Sequence, residues 1–384
     1  MKNYRYSYIA LCASYLLYYI ALGAFSPFLN IYYERIGLSG SQIGFITSAG
    51  YIVAMLFSPI WGSITDRNHR YKSMIAMLTL ATTLVTILWK QQTFFLFVFI
   101  FSLLMNIFRS NIGNLLDALA IQSCKENNKE FSFVRAMGSL GYLIASFGIG
   151  NFLFEKFQLQ GPYIQILAIA NVLLVIGLLF VKPITQPKAE TKKEQGNFLE
   201  LFKNQDYVFI LFLCFFTIIV NDSTINYLGN HLVSTLQLPD SAIGLNTCAM
   251  VLPEVFIIMN IHKLIRKIGL KKSFILAIIT QILRCILYAT STSLPMFMIG
   301  SLVHGLMIGV GTVGVIDYIH RKIPSHMMAR AMTVYGGFTV VSYAIQAQAY
   351  GFVYQMFGSH MIFMITLACT VVALLMTLKT KRLD

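Results

Sequence analysis

Lys182-Pro-Ile-Thr-Gln-Pro-Lys-Ala-Glu-Thr-Lys-Lys-Glu-Gln-Gly-Asn-Phe-Leu-Glu-Leu-Phe-Lys-Asn-Gln-Asp206 interrupts an otherwise apolar chain. Its prolines, lysines and glutamates deny both burial and regular structure, so residues 182–206 read as a polar linker. Six long apolar runs lie on each side of it. Before the linker they fall near 8–33, 41–65, 73–89, 93–122, 133–156 and 162–181. After it they fall near 207–236, 241–265, 272–290, 294–320, 331–357 and 360–378. A helix needs about 20 apolar residues to cross a bilayer. Barrel strands would alternate in polarity, whereas these runs are continuous. The expected fold is therefore all-α: a polytopic membrane protein of twelve transmembrane helices, with halves 1–181 and 207–384 joined by the linker.

Composition agrees. Of 384 residues, 57% are hydrophobic and only 11% charged, with 30 Phe and 20 Tyr. No soluble domain of this size hides that much apolar surface from water. The net charge of +14 could suggest nucleic acid, but its distribution argues against such a partner. With the N-terminus placed in the cytoplasm, 23 of the 29 Lys and Arg fall on the cytoplasmic side. Arg35, Lys90 and Lys156 face the other side, and Arg109, Arg135 and Arg284 lie within the runs. By the positive-inside rule both termini are cytoplasmic and the host is the plasma membrane. Lys2 and Arg5 precede a run too long for a signal peptide, so it reads as the first span. The six cysteines show no CxxC spacing, and five lie in apolar runs, where they read as small core hydrophobes. No cofactor or metal is expected, and the chain is read as a monomer.

The interior charges carry the functional signal. Arg109, Asp117, Arg135, Asp222, Glu254 and Arg284 stand inside apolar runs, with His304 at similar depth. A charge in hydrocarbon costs several kcal/mol unless paired or hydrated, so such residues usually line a substrate or ion path. Asp117 lies toward the cytoplasmic end of span 4 and Arg135 in the first turns of span 5. These helices are consecutive and antiparallel, so the two can pair, or their fork can meet a substrate's hydroxyls instead. Glu254 follows Pro253, read as a short interruption of span 8. A carboxyl taken out of water favours its neutral form, which suits it to carry a proton, while Arg284 in span 9 opposes that. His304 can hydrogen-bond a substrate or titrate. Asp222 sits in Asn221-Asp222-Ser223-Thr224, with Asn226, Tyr227 and Asn230 following, a polar stripe at helical spacing. Arg109 is eight residues before Asp117 and could pair with Asp222. Asp317 falls near the cytoplasmic edge and reads as structural. Asp117, Arg135, Tyr142, Asp222, Glu254, Arg284 and His304 are expected to face one central aqueous cavity. Bland readings compete throughout: a helix clamp for Asp117–Arg135, a static bridge for Glu254–Arg284, and a satisfied core histidine for His304.

The halves repeat. Ser41-Gln-Ile-Gly44 opens span 2 and Ser241-Ala-Ile-Gly244 opens span 8; Arg135-Ala-Met137 opens span 5 and Arg330-Ala-Met332 opens span 11. Parallel repeats of six spans are one known transporter architecture. The loop after span 2 reads Gly62-Ser-Ile-Thr-Asp66-Arg67-Asn-His-Arg70-Tyr-Lys72. It resembles the loop signature of the major facilitator superfamily. Gly62 would allow close helix approach, Asp66 would cap or pair near a helix end, and Arg67 and Arg70 would clamp neighbouring helix termini as a conformational-switch loop.

Arg135-Ala-Met-Gly138-Ser-Leu-Gly141-Tyr142, with Asp117 upstream, is similar to spans 4–5 of the lactose-permease-like oligosaccharide:proton symporters. Asp117-Ala-Leu-Ala and Leu294-Pro295 to His304 look closer still to the phenylpropionate permease branch. The resemblance implies substrate binding by Asp117, Arg135, Tyr142, Asp222, Asn226 and His304, and proton coupling by Glu254, Arg284 and His304. Met307 and Ser301 replace the span-10 carboxylate and lysine of those symporters, and Asp117 shortens their glutamate. Coupling then moves to Glu254, His304 or Asp222. The expectation is a proton-coupled importer of a small polar organic solute such as a sugar, nucleoside or aromatic acid. Drug or metabolite efflux is the alternative, but span 5 has Gly138, Gly141, Gly148 and Gly150 without the proline such antiporters usually carry there. An enzyme would need a nucleophile–base set or a metal motif such as HExxH, and the sequence has none. A receptor would not need balanced interior charges.

The charge bias yields a direct test of orientation. Cysteine tags at Lys2 and Gln195 should resist a membrane-impermeant thiol reagent in intact cells. Labelling of both from outside would reverse the assignment.

Overall fold

A computed structural model describes residues 2–68, 70–126, 129–148, 162–182, 198–324 and 327–383. Most of the linker (183–197), the end of span 5 (149–156) and His69 lie outside the described residues. Among the described residues every regular element is helical. Eight of the runs appear as single helices: Gly40–Asn68, Tyr71–Lys90, Phe131–Gly148, Pro162–Phe180, Ser241–Ile268, Leu270–Thr290, Met328–Phe357 and Ser359–Lys379. Nine helical runs among the described residues are long and apolar enough to cross a membrane. The chain is an all-α polytopic membrane protein.

The remaining four runs are broken. Span 1 passes from Lys2–Phe25 through a short turn at Ser26–Phe28, where Pro27 removes a donor, into Leu29–Arg35. Span 4 is two helices of 15 residues each, Phe95–Arg109 and Ile112–Glu126. Span 7 is Gln205–Cys214, Val220–Ile225 and Leu228–Asn230, with π-helical turns at Phe215–Ile219 and His231–Thr235. Span 10 breaks after Leu294–Leu302, resumes at His304–Gly309, and takes a π-helical turn at Val310–Gly314 before Val315–Lys322. Span 8 corrects an expectation. Ser241–Ile268 runs unbroken through Pro253, so Glu254 is held on a continuous helix. One lost backbone bond does not end a helix whose other bonds have no water to turn to.

The chain forms two compact units, Met1–Leu38 with Ala49–Lys192, and Ser39–Ser48 with Lys193–Asp384. The short segment joins the second unit through backbone approach. A Cβ on Gly40 would lie 2.7 Å from the Gly351 carbonyl, and one on Gly44 would lie 2.6 Å from that of Ala347. Gly62 corrects a second expectation, since a Cβ there would meet only the Asn111 side chain at 3.6 Å, an ordinary contact.

Each unit is built around its buried polar groups. In the first, span 1 packs on spans 5 and 6, and span 3 on spans 4 and 6. Gly23 and Gly141 bring spans 1 and 5 into backbone contact: a Cβ on Gly141 would strike the Leu16 carbonyl, and one on Gly23 the Tyr142 backbone. Ser146 donates to the Gly23 carbonyl at 3.1 Å across the same seam. Thr82, Thr83 and Thr86 return their hydroxyls to carbonyls one turn back, and Asn171 of span 6 donates to Thr83 at 3.0 Å. In the second unit, span 9 packs on span 12 and span 8 on span 10. Outer faces are apolar instead. Leu179 and Phe180 of span 6 and Leu375 and Leu378 of span 12 are exposed, the arrangement a lipid solvent favours.

Both units close with a lysine. Lys72, at the start of span 3, donates to the Val181 carbonyl past the end of span 6, with Leu179 O at 3.5 Å. Lys271, at the start of span 9, donates to the Thr380 carbonyl past the end of span 12 at 2.5 Å. A cation at a helix C-terminus meets its unsatisfied carbonyls and the negative end of its dipole.

The seam of spans 1 and 5 predicts a stability effect. Gly141→Ala forces the backbones apart and should cost about 1–3 kcal/mol, as overpacking does. Gly336→Ala, with nothing within 4 Å of its Cβ, should be neutral or slightly stabilising. Thermal unfolding in detergent compares them, and equal melting temperatures would contradict the backbone contact.

Candidate functional site

In the first unit the sequence motif around Asp117 and Arg135 becomes a small polar surface set on aromatic rings. Arg135 Nη1 lies 3.8 Å from Asp117 Oδ1, and the two side chains are 52% and 41% exposed. Each charge has a phenol as its nearer partner: Tyr15 donates to Asp117, and Arg135 donates to Tyr19. The phenol rings stack with centroids 5.6 Å apart, and the Arg135 guanidinium sits 5.3 Å above the Tyr19 ring. Gly138 leaves room for that ring, because a Cβ there would lie 2.8 Å from it. Tyr142, two turns beyond Arg135, is half-buried. The pair is therefore loose and half-open rather than a closed clamp.

The second unit gathers charges from four spans. Arg284 of span 9 is 1% exposed and donates from Nη1 to His304 Nδ1 at 2.6 Å. A guanidinium has only donors, so Nδ1 is the acceptor and the imidazole proton stands on Nε2. That nitrogen faces Glu254 Oε2 of span 8 at 3.6 Å. Asn221 of span 7 lies within 3.3 Å of the same Nδ1 and 3.4 Å of Asp222 Oδ1. Tyr343 of span 11 donates to Asp222 Oδ2 at 2.5 Å. Asn226 follows one turn after Asp222, half-buried at the end of Val220–Ile225. Span 10 approaches span 8 by backbone: a Cβ on Gly305 would lie 2.6 Å from Glu254 Cα.

Two sequence expectations change here. His304 does not stand alone among apolar neighbours but links Arg284 to Glu254. The Glu254–Arg284 coupling is accordingly indirect, with the imidazole between them. Met307 is 1% exposed in the apolar core of the unit, and Ser301 is bonded to Tyr288 and Asn246. The Arg109–Asp222 pair read from the sequence would join residues of the two units; within its own unit Asp222 is bonded by Tyr343 and Asn221. Asp317 pairs with Arg321 at 2.5 Å one turn on, as a structural role requires. In the loop after span 2, Asp66 accepts from Tyr71 at 2.5 Å, whereas Arg67 and Arg70 are exposed and form no ion pair among the described residues. The helix-terminus clamp expected of them is made by Lys72.

Sequence reasoning missed Tyr15, Tyr19 and Tyr343. Tyr15, Tyr18 and Tyr19 recur at three- and four-residue spacing in span 1, a visible stripe. Tyr343 had no such signal.

The model of the MFS_1 like family matches residues 8–365. The chain is 26% identical to a maltose permease of Geobacillus stearothermophilus, over 84% of this chain and 81% of that one. It is 24% identical to a probable 3-phenylpropionic acid transporter of Escherichia coli, over 91% of each. It is equally 24% identical to the multi-drug resistance efflux pump PmrA of Streptococcus pneumoniae, over 92% and 90%. The crystal structure of the nucleoside transporter NupG superposes with a TM-score of 0.83 at 17% identity, covering 97% of this chain and 99% of that one.

The two carboxylates should respond differently to loss of a phenol. Tyr343→Phe leaves Asp222 one donor short and should cost about 1–3 kcal/mol. Tyr15→Phe should cost less, because Asp117 keeps Arg135 and is 41% exposed. Equal shifts in thermal unfolding would remove the distinction.

Proposed function

The chain belongs to the major facilitator superfamily, within its MFS_1 like family, and from that membership we propose that it imports a small polar organic solute by proton symport. The family and the relatives reported above are membrane transporters.

One observation carries the proton: the unequal satisfaction of the two carboxylates in the second unit. Asp222 accepts from Tyr343 and Asn221, two donors that favour its ionised form. Among the described residues Glu254 has only the His304 N–H, at 3.6 Å, beyond hydrogen-bonding distance. With Arg284 as the cation, two ionised carboxylates leave the cluster one negative charge in excess. One proton balances it, and Glu254 is the group with least to lose by taking it. His304 then serves as a fixed donor that Arg284 orients, and its separation from Glu254 sets how readily the carboxyl reionises. In an alternating-access cycle, changing that separation loads and releases the proton.

The solute would be met by the half-open Asp117–Arg135 pair and its tyrosines. A carboxylate and a guanidinium already satisfied by neutral phenols exchange partners at low cost. Tyr19 and Tyr142, both half-buried, are the aromatic rings left to meet a sugar, a nucleobase or an aromatic ring. The relative named as an efflux pump keeps export as a second reading; the span-5 segment without proline favours import. Both termini are placed in the cytoplasm on the 23 basic residues assigned to that side.

Glu254→Gln should abolish accumulation of solute against a gradient in proteoliposomes under an imposed pH difference. It should leave exchange of labelled for unlabelled solute intact, because the amide mimics the protonated acid. A thermal-shift screen of sugars, nucleosides and aromatic acids supplies the solute, since a ligand stabilises the state it binds. Undiminished pH-driven accumulation in Glu254→Gln would exclude it as carrier, and Asp222→Asn run alongside would show whether the role passes there.

A further inference from the structure

Arg109 is the interior cation that the proton and solute reading leaves without work. It is the last residue of Phe95–Arg109, and after two intervening residues span 4 resumes as Ile112–Glu126. The two arms have 15 residues each, so Arg109 stands midway along the span. At about 1.5 Å per residue, roughly 20 Å of helix separates it from either end, beyond the reach of a lipid headgroup. Its Nη1 is buried with no hydrogen-bond partner among the described residues. Its neighbours include the face of Phe25, 5.9 Å away, and the Tyr18 and Tyr33 phenols, neutral groups that bring no counter-charge. Asp117, the carboxylate on the same span, is engaged by Tyr15 and Arg135. A midspan cation lacking a counter-charge is among the costlier arrangements a membrane protein can hold.

Other polar groups at the break are bonded. The Ile107 carbonyl accepts from Trp61 Nε1 and from Ser110 Oγ, both at 2.8 Å. Asn111 accepts from Ser58 at 3.0 Å and from Asn114 at 2.9 Å. The Ile107 carbonyl and the Asn111 side chain are thus bonded within the chain, whereas Nη1 of Arg109 lacks an acceptor among the described residues. Past the break, the first turn of Ile112–Glu126 adds the positive end of a helix dipole. As a residue Arg109 is half-buried rather than fully enclosed.

We propose that Arg109 is an oxyanion subsite: the transported solute carries a carboxylate, which forks onto this guanidinium and supplies the missing charge. This inference rests on the transporter reading and narrows its solute class to organic acids. The Asp117–Arg135 pair and its tyrosines would then meet the remainder of the molecule.

The chain carries its own reporter. Its two tryptophans flank the site: Trp61 bonds the carbonyl two residues before Arg109, and the Trp89 ring lies 5.7 Å from that of Phe25. Acetate, a small carboxylate probe, is titrated into detergent-solubilised protein at constant ionic strength, with acetamide and chloride in parallel. The expected result is a saturable change in tryptophan fluorescence with acetate alone. Arg109→Gln, which keeps a donor but loses the charge, should raise the midpoint about tenfold or more, and Arg109→Lys should fall between. Circular dichroism checks that each variant is folded; where Arg109→Gln is not, Phe25→Leu, which leaves the cation in place, should retain the acetate response. No saturable response in the wild type, an equal response to acetamide, or an unchanged midpoint in folded Arg109→Gln would overturn the subsite. The titration uses no gradient, so its failure is separate from failure of proton-driven uptake.

Discussion

Enclosing Arg284 within protein at membrane depth constrains the second unit more than any other single contact. A guanidinium cannot lose its charge, and hydrocarbon offers it nothing. Its acceptor, His304, must come from span 10, which places the break of that span at Val303, immediately before the imidazole. Neutral acceptance at Nδ1 turns the imidazole proton toward span 8. Asn221 ties the same nitrogen to span 7, and Asp222 extends the chain to span 11 through Tyr343. Glycine at 305 is required because spans 8 and 10 must close to backbone contact for Glu254 to stand near the ring. One buried charge therefore fixes the relative placement of five helices.

The two units share a scaffold and differ in charge. Lys72 and Lys271 stand 199 residues apart, as do the carbonyls they cap at Val181 and Thr380. Trp89 and Tyr288 keep the same offset, and so do Ser102 and Ser301, which they bond at 3.0 and 2.5 Å. The repeated contacts hold helix ends and helix pairs together. The interior charges of the second unit do not repeat: at that offset Val85 stands for Arg284 and Met105 for His304. The duplicated parts bear the architecture, and the unduplicated parts bear the chemistry.

Much of this was legible in the sequence. Helical runs announce themselves through unbroken apolarity, and Asp117–Arg135 follows from two consecutive antiparallel helices. The misses share one cause, which is that tertiary partners decide them. Pro253 is the usual sign of an interruption, yet span 8 continues through it, whereas Ser110 and Asn111 give little warning of the break in span 4. Arg67 and Arg70 match a loop signature, but Lys72 is the residue within reach of a helix terminus. Tyr343 lies 121 residues from Asp222, a separation that no local pattern spans. His304 looked solitary because its partners arrive from spans 7, 8 and 9.

The π-helical turns of spans 7 and 10 have a mechanical consequence. A π-turn holds one residue more than an α-turn, a surplus that can pass along a helix without breaking it. As the surplus passes a residue, that side chain swings about the axis by roughly 100°, the angular step of one residue. Phe215–Ile219 ends two residues before Asn221, and Val310–Gly314 begins one residue after His304–Gly309. Spans 7 and 10 are thereby the two helices of the charge cluster whose side-chain azimuths are adjustable, and register slippage in either would aim Asn221 or His304 in a new direction while both ends of the helix stay anchored.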